Sequence, residues 1–275
     1  MSDKIELSAV IRSNLLTLSR TTDLIDRTQD RLSTGLKVSS ARDDATAFFA
    51  AQGLSNRADD LNSLKSDIDQ GISTIEAAIA GIEAITELVE QAKGLAITAK
   101  ATGDTNERSS LADQFDALLL QIDALANDST YAGTNLLQAA PDNLAVSFNE
   151  DGSSNLTISG IHSSTGTGGI NVAGAVGNFA AYTNTDAAIT AVNSAITTLR
   201  TSAATLGSNA SILQTHINFT EDLVKTLEEG YGKLTLADLN EESANLLALQ
   251  TKQQLAINSL SLAAQSERSI LALFD

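Results

Sequence analysis

Apolar residues recur at alternating steps of three and four along five segments of the chain. This spacing places side chains along one face of an α-helix. Because the phase is kept over many turns, it favours helices that pair along a narrow seam, although an antiparallel helix bundle has the same periodicity. The sequence therefore predicts a mainly α protein with long helices and leaves its function open. The five stripes run through residues 11–36, 68–96, 111–125, 189–227 and 239–274.

The composition favours an elongated arrangement of helices over a compact core, and it argues against several classes of function. Aromatic residues make up 4% of the chain, with no Trp and a single Pro, so bulky core residues are few. A net charge of −17 disfavours binding to nucleic acid or to an anionic membrane surface, which attract clustered Lys and Arg. The chain has no Cys, which excludes disulfides and thiolate metal sites.

The pattern changes between the third and fourth stripes. Residues 144–148 and 155–158 alternate apolar and polar side chains, and Gly152 lies between them. Such alternation on both sides of a glycine-bearing turn predicts a β-hairpin. Residues 160–177 are rich in Gly, Ser and Thr and are predicted to form a loop with at most short strands. We therefore expect a small β and loop insertion in an otherwise helical chain.

The first two helices are separated by a break at residues 35–40. Gly35 is able to end a helix in a left-handed conformation. Ser40 and Asp43 have the spacing of a capping box, and Asp43 and Asp44 would lie near the positive end of the next helix dipole. The break is therefore predicted to be a connector in which Ser40 caps the second helix.

No arrangement of polar residues in the sequence predicts catalysis. His162 and His216 are too far apart in register to nominate a shared metal site, so surface or packing roles are expected for both. Adjacent carboxylates such as Glu241 and Glu242 point about 100° apart on a helix, which favours a solvated face or a cap over acid–base chemistry. No serine lies in a nucleophile elbow. We predict no enzyme activity, no metal site and no cofactor.

Residues 32–46 carry the most specific motif, because they combine fixed charges, a glycine and leucines. They read Leu-Ser-Thr-Gly-Leu-Lys-Val-Ser-Ser-Ala-Arg-Asp-Asp-Ala-Thr. Position by position they resemble Leu-Ser-Ser-Gly-Leu-Arg-Ile-Asn-Ser-Ala-Lys-Asp-Asp-Ala-Ala, the N-terminal signature of bacterial flagellins, which are the subunits of the flagellar filament. Further segments that are similar to flagellin motifs are residues 69–73, 131–137, 260–263 and 269–274.

The resemblance covers roughly residues 1–140 and 180–275 and implies a domain organisation. The N- and C-terminal segments would pair as a long-helix coiled coil in the filament core, and a connector would lead outward to a helical rod. The rod would carry the small β-hairpin and loop insertion. The expected domains are a terminal coiled coil at 1–37 and 240–275, a connector at 38–46, a rod at 47–140 and 180–239, and a variable insertion at 141–179.

The residue patterns and the resemblance together predict roles for three groups of residues. Terminal seam residues would form subunit interfaces, connector residues would cap and join the helices, and outward-facing hydroxyls of the insertion would be candidate O-glycosylation sites. The seam residues are Ile11, Leu15, Leu18, Ile25, Leu32, Leu36, Leu246, Leu249, Leu260, Ile270 and Phe274. The connector and cap residues are Gly35, Ser40, Arg42, Asp43 and Asp44. The hydroxyl residues are Ser153, Ser154, Ser163, Ser164 and Thr165.

Partners and location follow from the same resemblance. The chain is expected to polymerise with itself, or with other flagellins in a mixed filament, as a secreted, extracellular part of the bacterial flagellum. Export would use the flagellar type III apparatus, which agrees with a start that lacks the signal-peptide pattern. An export chaperone would bind the C-terminal helix, and hook-associated and cap proteins would be further partners. Neither nucleic acid nor a membrane is expected as a partner.

Two other functions are weighed against a flagellin. The hook–filament junction protein shares the terminal-domain architecture, but its motif tends to read Ser-Gly-Lys-x-x-x-x-Pro-x-Asp-Asp-Pro, and residues 32–46 contain neither proline. A coiled-coil adhesin or signalling protein would predict a membrane span or a cleaved signal, and the sequence shows neither pattern. A flagellin that polymerises into the propelling filament is therefore the favoured interpretation.

Overall fold

The computed structural model describes residues 9–271, without the side chains of residues 9, 10, 267, 268, 270 and 271. The described chain is mainly α, which confirms the predicted fold class. It divides into a terminal unit, which comprises the residues up to Arg57 and from Thr226 onward, and a central unit, Ala58–Lys225. The α-helices are α1 (Ala9–Thr34), α2 (Ala45–Ala101), α3 (Thr105–Asp128), α4 (Tyr182–Thr235) and α5 (Leu239–Leu271).

In the terminal unit, α1 packs along α5. Several threonines of α1 donate their hydroxyls to the carbonyl four residues earlier, as Thr22 does to Leu18 at 3.1 Å. This bond satisfies the hydroxyl inside its own helix, so a threonine can face a partner helix without an unpaired donor. A direct polar contact also joins the helices, because Gln253 donates through Nε2 to the hydroxyl of Thr22 at 3.3 Å.

In the central unit, α2 and α4 run antiparallel. Their ion pairs show the direction, because Lys65 lies against Glu221 near one end and Lys100 against Asp186 near the other. The apolar stripes of α2, α3 and α4 form one core, whose fully buried members include Ile75, Phe115 and Leu199. Asp104 caps α3 by accepting a hydrogen bond from the backbone N–H of Asn106 at 2.8 Å.

Two small antiparallel ribbons follow α3. The first joins β1 (Thr130–Tyr131) to β2 (Thr134–Asn135), and the second joins β3 (Leu144–Ser147) to β4 (Asn155–Ile158). The second ribbon is the hairpin predicted from alternation, with Leu144 opposite Ile158 and Ser147 opposite Asn155.

Gly71 of α2 allows this hairpin to approach closely. A Cβ atom at that position would lie 2.8 Å from Cγ2 of Val146, so a larger residue would force the Val146 side chain or its surroundings to shift.

The long loop after the hairpin is held against α3 by two carboxylates. Asp123 accepts from the backbone N–H of Thr165 at 2.7 Å and from its hydroxyl at 2.9 Å. Ten residues further along the loop, the backbone N–H of Ala175 donates to Asp116 of α3 at 2.6 Å. A short 3-10 helix, Val176–Phe179, then brings the ring of Phe179 edge-on to Phe115. The insertion is therefore an integral part of the central core.

Candidate functional site

The terminal helices meet along a seven-residue repeat of α1. Ile11, Leu18, Ile25 and Leu32 occupy one position of the repeat, where the isoleucines are buried and the leucines half-buried. A repeat of seven keeps one face of a helix against its partner over many turns. Leu36, which follows α1, is also half-buried.

The second position of this repeat is polar. Thr21 and Thr28 are 2% and 6% exposed and Asn14 is half-buried, whereas Leu15 is 40% exposed. The hydroxyl of Thr21 donates to the carbonyl of Thr17 at 2.8 Å, which satisfies it within the helix. Leu15 therefore lies outside the buried α1–α5 contact, and its role at a subunit interface stays a prediction. Stripes of four-then-three and three-then-four share every second position, and apolarity alone does not decide which of them a partner helix covers.

On α5 the predicted stripe faces inward. Leu246, Leu249 and Leu260 are half-buried, in phase with the more deeply buried Glu242. The side chain of Ile270 and the whole of Phe274 lie outside the described part of the chain. The α5 side of the seam therefore combines leucines with one carboxylate.

That carboxylate is paired across the seam. Arg31 donates through Nη1 to Oε1 of Glu242 at 2.8 Å, and the side chain of Glu242 is only 10% exposed. The pair borders a cavity of 480 Å³ lined by the connector and by the first turn of α5. The sequence signal for this pair is an acidic residue near the start of a mainly apolar stripe. The expectation of a solvated face for Glu242 is therefore wrong.

A second apolar surface faces outward from the paired helices. Among the described residues, large apolar side chains on both helices are between 40% and 67% exposed. Large apolar side chains exposed in such number on one helix pair are candidates for contacts with a partner. On α1 they are Leu15, Leu16 and Leu24, and on α5 they are Leu239, Leu247, Leu255, Ile257 and Leu262.

The connector is hydrogen-bonded to the segment where α4 ends and α5 has not yet begun. Gly35 takes φ +72°, and its N–H donates to the carbonyl of Arg31 at 2.8 Å, which ends α1. The N–H of Lys37 then donates to the carbonyl of Thr235 at 2.7 Å, and the N–H of Ala237 donates back to Gly35 at 2.9 Å. Backbone hydrogen bonds therefore join the segment after α1 to the segment between α4 and α5.

The cap of α2 differs from the expected one. The helix begins at Ala45, and Asp44 caps it by accepting from the N–H of Ala47 at 3.0 Å. The expectation that Ser40 caps α2 is therefore wrong. Two capping signals overlap in this stretch, and the one nearer the helix is used.

Asp43 closes the turn before that helix. Its Oδ2 accepts from the backbone N–H and hydroxyl of Ser39 and of Ser40, at 3.0 to 3.1 Å. The backbone hydrogen bond from Ser39 is the main cause that lowers the pKa of Asp43, helped by the bonds from Ser40. Arg42 is exposed, and its N–H donates to the hydroxyl of Ser40 at 3.3 Å. The charged residues of the connector therefore shape its backbone.

The hydroxyl residues of the insertion lie in two different environments. Ser153 and Ser154 are exposed in the hairpin turn. Ser163 is completely buried and Ser164 is 7% exposed, and Thr165 is half-buried against Asp123. The expectation that all five face outward is therefore wrong for Ser163 and Ser164. Their loop is polar in composition, but long-range hydrogen bonds fold it onto α3.

The described residues contain no cluster of three His, Asp or Glu side chains that could hold a metal ion. His216 stacks its ring on Phe148 at 3.7 Å, and Nε2 of His162 lies 2.5 Å from the hydroxyl of Ser164. No helix within residues 9–271 has the length and apolarity needed to span a membrane.

Comparison with known proteins identifies the family. The model for the bacterial flagellin N-terminal helical region matches residues 7–141, and that for the C-terminal helical region matches residues 189–274. Flagellin FljO of Caulobacter vibrioides is 33% identical over 267 residues, which cover 94% of either chain. The chain belongs to the bacterial flagellin family. Flagellins are structural proteins of the flagellum rather than enzymes.

Other flagellins match over shorter segments. Flagellins FljM and FljK of Caulobacter vibrioides are each 53% identical over 60 residues, so the alignment spans 22% of this chain and 22% of each relative. Among solved structures, the crystal structure of Bacillus cereus flagellin has 19% sequence identity and a TM-score of 0.49. It covers 56% of this flagellin and 88% of the Bacillus chain.

Proposed function

We propose that this flagellin self-assembles into the filament of the bacterial flagellum and so serves motility. The observation that carries the proposal is the outward apolar face of α1 and α5, where Leu247 and Leu255 are 66% and 62% exposed. A long pair of helices with leucines on its outside is suited to contact further copies of the same pair. Assembly would then bury both faces of each terminal helix.

Burial of these leucines would contribute favourably to the free energy of assembly. Fully burying a leucine contributes about 1.5–3 kcal/mol. Several half-exposed leucines on one unit therefore provide a driving force well above that of exposed ion pairs, which contribute about 0–1 kcal/mol each. Because each subunit in a polymer has several neighbours, the contribution is repeated at every interface.

The location and the further partners belong to the same proposal. The protein acts outside the cell as part of the filament, either alone or mixed with other flagellins. Before export, a flagellar chaperone covers α5, whose exposed leucines need protection from aggregation in the unassembled chain. Hook-associated and cap proteins contact the terminal unit at the two ends of the filament.

Support for a filament subunit over the hook–filament junction protein comes from the connector. Residues 32–46 match the flagellin signature and lack the two prolines of the junction motif. Proline fixes φ and removes a backbone donor, so a connector without proline has a different local geometry. The function proposed is therefore that of the repeating filament subunit.

Surface modification is a further part of the proposal. Ser153 and Ser154 are exposed in the turn of the β3–β4 hairpin and are the hydroxyl positions of the insertion best placed for O-glycosylation. The mass of subunits from purified filaments tests this point. A mass equal to that of the unmodified chain would contradict it.

Seeded polymerisation tests the assembly itself. Purified monomer is mixed with short filament seeds, and elongation is followed by sedimentation and electron microscopy. The full chain is expected to elongate the seeds, whereas chains that lack residues 1–37 or 240–275 are expected not to. Elongation by either truncated chain at the rate of the full chain would contradict the proposal.

A further inference from the structure

The flank of the α1–α5 seam forms a groove with a basic rim. Leu24 and Leu249 line a cavity of 360 Å³ there, and Arg27, Arg31 and Lys252 border it. Arg31 is neutralised by Glu242, while Arg27 and Lys252 are exposed. This "basic groove" therefore joins an apolar floor to two exposed cations. In a chain with 17 basic and 34 acidic residues, such a site favours an acidic partner.

The same unit carries a surface of complementary chemistry at the first turn of α5. Leu239 is 50% exposed, and the neighbouring Asp238 and Glu241 are also exposed. Asp238 accepts from the N–H groups of Asn240 and Glu241 at 2.9 and 3.2 Å, which fixes the turn. This "acidic corner", Asp238, Leu239 and Glu241, is a rigid apolar side chain flanked by two carboxylates.

We infer that the basic groove of one copy receives the acidic corner of a second copy. Leu239 would enter the cavity beside Leu24 and Leu249, and Glu241 would meet Lys252. The acidic corner lies at the start of α5 and the groove includes residues of α1 and α5, with Glu241 eleven residues before Lys252. For two copies whose α5 helices are parallel, this contact displaces the copies along the helix axis by about 16 Å, at 1.5 Å per residue. The inference rests on the proposed assembly and adds the contact that sets its stagger.

The geometry of this contact favours an open polymer. Each copy offers two different patches, so the contact is heterologous and does not saturate in a dimer. In any row of copies, one end leaves a basic groove free and the other end leaves an acidic corner free, so further copies can be added by the same contact. Charge complementarity selects the register, while the leucine supplies the apolar burial.

Cross-linking between copies tests the contact directly, because the natural chain has no Cys. In a Leu239→Cys/Ala248→Cys variant the two thiols of one chain are about 14 Å apart along α5, too far for a disulfide within the chain. Ala248 lines the basic groove. After seeded assembly and mild oxidation, we expect a ladder of covalent multimers under non-reducing conditions. A Leu239→Cys/Ser259→Cys variant, whose second thiol lies outside the groove, is the matched control and is expected to run as monomer.

Charge reversal provides the second measurement. Glu241→Lys and Lys252→Glu are each expected to raise the critical concentration for elongation about fivefold, and the double variant is expected to return it to within about twofold of the natural chain. Filaments that form without the 239–248 ladder, or a double variant no better than the single ones, would overturn the inference while the proposed function stands. A natural chain that fails to elongate seeds would instead contradict the proposed function.

Discussion

Arg31 and Glu242 lie 2.8 Å apart although 211 positions separate them in the chain. Their ion pair joins the end of α1 to the start of α5, and the glutamate is largely enclosed. Enclosed charges are satisfied by one another rather than by water, so the position of each depends on the other. This pair links the terminal helices near the connector and borders two cavities of the terminal unit.

Removal of Arg31 should destabilise the terminal unit. Arg31→Met leaves Glu242 enclosed without its partner, and we expect the free energy of unfolding of the monomer to fall by about 2 kcal/mol. This is below the 3–5 kcal/mol typical of fully buried pairs because the Arg31 side chain is 33% exposed. Urea unfolding followed by circular dichroism measures the change. Arg27→Met, at an exposed position, is the control, and equal stability of the two variants would refute the role of the pair.

The phase of the α1 seam can be tested by two lysine substitutions. Thr21→Lys places a charge at a position that is 2% exposed and should lower the free energy of unfolding of the monomer by at least about 2 kcal/mol. Leu15→Lys, at an exposed position, should change it by less than about 0.5 kcal/mol. The same denaturant measurement compares them. If Leu15→Lys proved the more destabilising, the seam would follow the other stripe.

The start of α2 should depend on Asp44 more than on Ser40. Asp44→Ala removes the cap on the N–H of Ala47 and should cost about 1 kcal/mol of monomer stability. Ser40→Ala removes only bonds within the preceding turn and should cost less. Thermal unfolding of the two variants decides the order. A larger loss for Ser40→Ala would restore the cap expected from the sequence.

The connector turn should weaken in acid. The pKa of Asp43 lies below its ordinary value of 3.8, because backbone and side-chain donors of Ser39 and Ser40 stabilise its carboxylate. A group with a lowered folded-state pKa contributes stability above its unfolded pKa, and this contribution is lost as the pH falls through the folded value. Carboxyl titration by NMR should give a midpoint below 3.8 for Asp43. A midpoint at or above that value would show that the four hydrogen bonds do not form in solution.

The sequence predicted those features that depend on local patterns. The helices follow from apolar spacing, and the hairpin of Leu144–Ser147 with Asn155–Ile158 follows from alternation around a glycine-bearing turn. Each of these signals is contained within one segment of chain. They required no knowledge of what the segment packs against.

The features that could not be predicted depend on distant partners. Ser163 is buried because its loop is bonded to Asp123 of α3, which its polar composition does not reveal. Thr21 is buried and Leu15 is exposed because packing against α5 decides which face of α1 is covered, and the apolarity of α1 alone does not contain this information. Glu242 could be noticed as a charge in an apolar stripe, but its partner Arg31 could not be assigned.

In the proposed assembly, the outward leucines of the terminal helices drive filament formation. The most direct test is the critical concentration for seeded elongation of a Leu247→Ser/Leu255→Ser variant whose monomer retains the helix content of the natural chain. Because each buried leucine contributes about 1.5 kcal/mol or more, we expect this concentration to rise at least about tenfold. Gln250→Ser, on the same helix, should leave it unchanged. Elongation of the leucine variant at the natural critical concentration would contradict the claim.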